Sequence, residues 1–457
     1  MHYKFLSNMK KIALFSLIVI ILLPGCGSSK NSGELTGVQG RKKFFEPEPL
    51  EMAFIPAGSF MMGPSDQDAV FAMNTISKSV TVEAFWMDQT EITNNKYRQF
   101  VYYVRDSIFR TKLGVAADVP DRQYFMVDAD GNVIEPNIIN WEEKIDPEEP
   151  TTMTHFEEMY YPPEERFNGK KQMDVRKLNY SYFWVDYQQA AKSTYKYDYA
   201  NNTGKYSGQV TNLDGTRTDV KDRSSFIKHN IINVYPDTLC CIRDFTYSFN
   251  DPQASLYFWH PSFDDYPVVG VSWVQATAFS IWRTDYMNTA LRKNDIPDVH
   301  SYRLPLETEW EYAARGGLDL SMYPWGGPYT CNYKGCFLAN FKPLRGNYID
   351  DGNVYAGKVG LYEPNEWGLY DMAGNVAEWT CTAYHPSAYI FQHDLEPTYE
   401  YNATPQDPPV MKRKVIRGGS WKDISYFLQT STRDYEYQDS TKPFVGFRNV
   451  RSYIGVN

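Results

Sequence analysis

Three arginines in this chain stand beside residues that bend a backbone. Arg303 precedes Leu304-Pro305, Arg417 precedes Gly418-Gly419, and Arg448 follows Gly446-Phe447. A guanidinium carries five donors in one plane and keeps its charge, so at a turn it is best used to tie loop carbonyls together. A chain that sets such groups between glycine turns is expected to fold around polar clasps inside its loops. We read all three arginines as structural.

The regular segments between these turns are short. Met52 to Ile55, a turn at Pro56 and Gly58, and Gly58 to Gly63 read as two strands, and Val80 to Met87 reads as a third, rich in β-branched and aromatic residues. Thr93 caps a helix whose apolar residues Tyr97, Phe100, Val101 and Val104 fall at helical spacing. Ser272 and Gln275 make a capping box that opens a helix to about Asn288. A further helix, Thr308 to Arg315, ends at Gly316-Gly317. Its Glu311 and Arg315 lie one turn apart in the favourable order, worth a few tenths of a kcal/mol at a surface. Between about Asp106 and Asp265 the chain is rich in Tyr, Asn, Asp, Lys and Pro with little periodicity, and we read it as an ordered, loop-rich insertion.

The N-terminus reads as an address. Lys10 and Lys11 precede an apolar run, Ile12 to Leu23, which has the length of a signal-peptide core. It ends in Leu23-Pro24-Gly25-Cys26, which resembles a bacterial lipobox with Cys26 as the lipidated residue. Residues 1–25 are then the signal, and Met9 offers a second, more ordinary start. Residues 26–50 form a lipid-anchored tether and residues 51–457 the folded domain, with the insertion at about 106–265. Several acyl chains, each buried methylene contributing about 0.8 kcal/mol, would hold the protein on a membrane. Gly27 stands where many inner-membrane lipoproteins carry aspartate, so the periplasmic face of the outer membrane is the expected site.

The net charge of −10 becomes more negative once Lys4, Lys10 and Lys11 leave with the signal, which argues against nucleic acid as a partner. Aromatic residues make up 16 % of the chain, which suits either an extended interface or an aromatic core. Beyond Cys26, five cysteines are left. Cys331 and Cys336 are the disulfide candidates, while Cys240, Cys241 and Cys381 leave several pairings open.

Taken in order, Ile55 to Gly63, Asp88 to Phe100, Pro267 to Trp273, Arg303 to Gly317, Gly368 to Trp379, Arg417 to Trp421 and Gly446 to Arg448 resemble the formylglycine-generating enzymes, the sulfatase-modifying factor family. The resemblance implies an α+β, loop-rich single domain related to C-type lectin-like folds. In that family a copper-binding cysteine follows the Arg-Gly-Gly-Ser-aromatic run by two residues, and a second lies five further on. Here those positions are Asp423 and Leu428, so no copper is expected and the chain reads as a pseudo-enzyme. The resemblance also implies calcium, at Asn375, the Val376 carbonyl and Glu378, and at a second site of Asn340, Phe341 and Asp351.

Gly33 to Val38, Gly63 to Asp68 and Phe85 to Val101, with the lipobox and the insertion, resemble one branch in particular. That branch is the K-type gliding-motility lipoproteins of the type IX secretion system. It implies an outer-membrane-anchored periplasmic ring, built by self-association with an N-type partner, that supports protein secretion and gliding. The J-type lipoprotein, a peptidoglycan- or glycan-binding module and an active oxidase are the alternatives.

Overall fold

A computed structural model describes residues 46–64, 76–116, 123–128, 130–135, 137–146, 150–195, 206–245, 254, 256–343 and 353–455. The expectations for Cys26, Met9, most of the tether and Asp351 lie outside these residues.

Strands β1 (Met52–Ile55), β2 (Gly58–Met62), β3 (Lys78–Val82) and β4 (Phe85–Asp88) lead into helix α1 (Asn94–Val115). The insertion carries β5 (Asn179–Val185), β6 (Gln209–Thr211), β7 (Arg217–Asp219) and β8 (Ile227–Asn233). Then come α2 (Trp273–Lys293), β9 (Tyr302–Arg303) and α3 (Glu307–Arg315). Strands β10 (Ala377–Ala383), β11 (Arg413–Arg417), β12 (Asp434–Tyr437), β13 (Val445–Gly446) and β14 (Val450–Ser452) close the fold. One antiparallel sheet has the order β1-β4-β14-β9, and a second, mixed sheet has the order β12-β11-β10-β13. Helices and strands pack in one unit, Pro47–Ile454, so the class is α+β as expected.

The main core lies between the two long helices and the mixed sheet. Tyr97 of α1 stacks on Phe279 of α2 at 5.6 Å, and Phe447 closes on both rings edge-on. Trp379 of β10 is fully buried in the same cluster. Burying such a ring contributes about 1.5–3 kcal/mol, so much of the aromatic content is spent inside the domain.

Four local expectations change. Helix α1 runs to Val115, because Phe109 and Leu113 continue the spacing of Val101 and Val104 onto the same buried face. Helix α2 likewise extends to Lys293, with Leu291 still buried. The run Val80 to Met87 divides into β3 and β4, which join different sheets. The insertion is more regular than its composition suggests: β5 and β8 pair over seven residues, and Tyr180, Tyr182 and Trp184 pack toward the main core.

Candidate functional site

The register of the mixed sheet sets Glu378 of β10 opposite Arg417 of β11 on one side and Gly446 of β13 on the other. Two residues past Gly446, Arg448 turns back onto Glu378. Its Nε and Nη2 donate to the carboxylate at 2.6–2.9 Å, and its remaining donors reach the carbonyls of Asp88, Gln89 and Tyr370. Trp310 Nε1 donates to Glu378 Oε2 at 2.7 Å. Every donor of Arg448 is spent, and both partners are buried. Removing one half of such a pair leaves a buried charge and costs about 3–5 kcal/mol.

Arg417 forms a second clasp. It donates to the carbonyls of Thr430, Ser431 and Thr432 and to Glu311, which also binds Arg315 at 2.6 Å. Glu307 and Arg433 extend the network. Burial pushes the Glu307 carboxyl up, but Arg433 and Arg417 outweigh it and hold the carboxyl below its usual value. The Glu311–Arg315 pair is therefore not the surface pair its spacing suggests: both side chains are buried, and Arg417 is its third member. Arg303 differs from the other two, since a third of its side chain stays exposed while it binds Glu309 through both oxygens at 2.6 Å.

The Arg417 clasp positions the segment where catalytic sulfur is expected in the family. Gly419 adopts φ +66°, and a Cβ there would stand 2.7 Å from the Phe427 carbonyl oxygen, so this turn presses directly on the short 3-10 turn Ser425–Leu428 that follows. Leu428 is fully buried in an apolar cluster with Tyr323, Ala339, Phe341 and Ala373. Asp423 accepts from Ser420 Oγ at 2.6 Å and from Lys422 Nζ at 2.8 Å. One position fills space and the other stitches a turn. Neither can exchange with a thiol.

The calcium expectation meets a competing occupant. Glu378 already faces a guanidinium and an indole N–H, so it does not fit as a calcium ligand. Asn375 spends its amide on Glu91 Oε1 at 3.1 Å and accepts from Gly357 N–H and Asn340 Nδ2. The Val376 side chain packs in an apolar cluster. Of the second set, Asn340 braces Tyr355 and Asn375, and Phe341 packs beside Leu428.

Beside this cluster lie two buried carboxyls not singled out in the sequence, Glu91 and Asp371, and among the described residues no group of three or more His, Cys, Asp or Glu stands ready to hold a metal ion. Glu91 is fully buried, and its Oε2 has no hydrogen-bond partner among the described residues. Burial, then the charge of Asp371, pushes Glu91 well above the usual carboxylate range. Burial likewise raises Asp371 to about 6, against the Gly360 N–H and Arg448. The one signal for this pair was an acidic residue amid the glycine turns after Gly368.

The expected disulfide is not formed: Cys331 and Cys336 are not bonded to each other, and Cys240 and Cys381 likewise carry no disulfide. Cys331 bridges Phe337 in antiparallel register. Cys336 precedes that partner, and its N–H donates to Asn332 Oδ1 at 3.0 Å within the turn between them.

The comparisons with known proteins agree with this architecture. Residues 41–453 match the model of the sulfatase-modifying factor enzyme 1-like domain. The inactive C-alpha-formylglycine-generating enzyme 2 of Bos taurus is 33 % identical over 190 residues, 40 % of this chain and 50 % of that protein. The formylglycine-generating enzyme of Bos taurus is 32 % identical over 196 residues, 42 % of this chain and 45 % of that protein. The chain thus spans about half the length of the curated relatives it matches, one named as an enzyme and the other as inactive. The structure of PvdO from Pseudomonas aeruginosa aligns over 88 % of this chain and 94 % of that one, at 16 % identity and a TM-score of 0.41, a correspondence too loose to equate residues. The chain belongs to the sulfatase-modifying factor enzyme 1-like family.

Proposed function

We propose that this protein is a non-catalytic structural lipoprotein of the type IX secretion system. On this reading it is anchored to the periplasmic face of the outer membrane through Cys26 and assembles with an N-type partner into a ring that supports secretion and gliding. The observation that carries the non-catalytic half is the state of Asp423 and Leu428: one is tied into a turn and the other is fully buried in apolar packing. A copper-dependent oxidase needs two thiolates there. The secretion half is supported by the lipobox and by the motif blocks shared with the K-type lipoproteins. A closed ring needs two different faces on each subunit that match head to tail, and the insertion adds surface from which such faces can be made.

Mild detergent extraction followed by electron microscopy of the copurifying material tests the assembly. A discrete ring with a second protein is expected, and a solitary monomer would overturn it. Oxygen uptake with a cysteine peptide and copper tests the chemistry separately. Turnover there would overturn the non-catalytic reading whatever the assembly state.

A further inference from the structure

A cleft of about 520 Å³ lies where the insertion meets the core. The β6–β7 turn, residues 214–217, forms one wall, and residues 401–407 of the segment between β10 and β11 form the other. Both walls are stiffened from within. Asp214 Oδ1 accepts from Thr216 N–H at 2.9 Å and from its hydroxyl at 2.6 Å, while Asp407 Oδ2 accepts from Thr404 N–H at 2.6 Å and from its hydroxyl at 3.0 Å. The walls approach closely at Gly215, where an added Cβ would stand 2.7 Å from Gln406 Oε1. The cleft is therefore preformed, with a volume inside the range of ligand sites, about 300–1,000 Å³.

Its lining selects the ligand. No aliphatic side chain faces it, so a lipid tail or an apolar peptide finds no surface to bury against. The Thr216 and Thr404 hydrogen bonds hold Asp214 and Asp407 below the ordinary carboxylate range, so both are charged at neutral pH. Arg217 lines the same cleft, and Lys228 and Lys412 act on Asp214 and Asp407 from beside it, so the charges roughly balance and a ligand bearing several charges of one sign gains nothing from the site. Arg217 and Gln406 make no side-chain hydrogen bond to other described residues, leaving two planar groups that can each engage a pair of vicinal hydroxyls. Tyr401 adds a half-buried ring on which the C–H face of a pyranose can rest.

We propose that this cleft binds a neutral, hydroxyl-rich glycan. The site is separate from the clasps and from the positions of the missing sulfur, so it stands whether or not the protein builds a ring. The test uses the full chain in a non-glycosidic detergent with chitotetraose, cellotetraose and maltotetraose as probes, read by saturation-transfer NMR and titration calorimetry. At least one probe is expected to bind, and the double variant Arg217→Ala/Gln406→Ala, both solvent-facing, is expected to lose at least tenfold in affinity with an unchanged Tm. The absence of binding by all three probes would overturn the proposal. So would affinity unaltered in the double variant, or binding confined to a sulfated sugar such as heparin.

Discussion

Replacing Asp371 by Asn probes the buried acid pair most directly. Asp371 sits at φ +54°, a left-handed conformation that Asn accepts, and its Oδ2 takes the Gly360 N–H at 2.6 Å, a bond the carboxamide oxygen can keep. The wild-type carboxyl rises from 3.8 in a free chain to about 6 in the fold. A raised acid pKa means that the folded state holds its proton more tightly. Its contribution is therefore fully present below pH 3.8 and is lost as pH climbs through about 6. A shift of about two units at 1.36 kcal/mol each is roughly 3 kcal/mol of stability lost across that window. The variant has no charge to desolvate, so in chelator at pH 7.5 it should be more stable than wild type by roughly 1–3 kcal/mol, a rise of a few degrees in Tm. At pH 4 the two proteins should converge. Thermal melts from pH 4 to 8 in EDTA decide the matter. A variant less stable than wild type at pH 7.5, or a gap independent of pH, would show that Asp371 is not a charge held against its own solvation.

Leu428→Ala should lose about 2–5 kcal/mol by leaving a cavity among Tyr323, Phe341 and Ala373; a denaturant midpoint equal to wild type would contradict the packing. Arg448→Met should cost about 3–5 kcal/mol, because Glu378 is left buried beside Trp310 without its partner. The double variant Arg448→Met/Glu378→Gln should recover part of that loss, and no recovery would mean that the carbonyl contacts of Arg448 matter more than the charge pair.

Most of the helix and strand starts were legible because their causes lie within one turn of chain. Thr93 caps α1, the Ser272–Gln275 box opens α2, and Gly316 closes α3 in a left-handed conformation. The structural role read for Arg417 and Arg448 held for a similar reason: a planar five-donor group beside a glycine turn has few other uses when buried. That Asp423 and Leu428 carry no sulfur was written in the residue types themselves. Only the tertiary structure decided which charges met. Glu311 and Arg315 looked like a solvated pair until Arg417 arrived from a strand far along the chain, and Glu91 faces Asp371 only because β4 and the Gly368 turns converge on Arg448. Cys331 and Cys336 had a spacing that suited a bridge, yet the loop closes through the Cys331–Phe337 pairing and leaves the two unbonded. Local signals act over a few residues, whereas burial and register depend on the whole chain having folded, and that separates what could be read from what had to be seen.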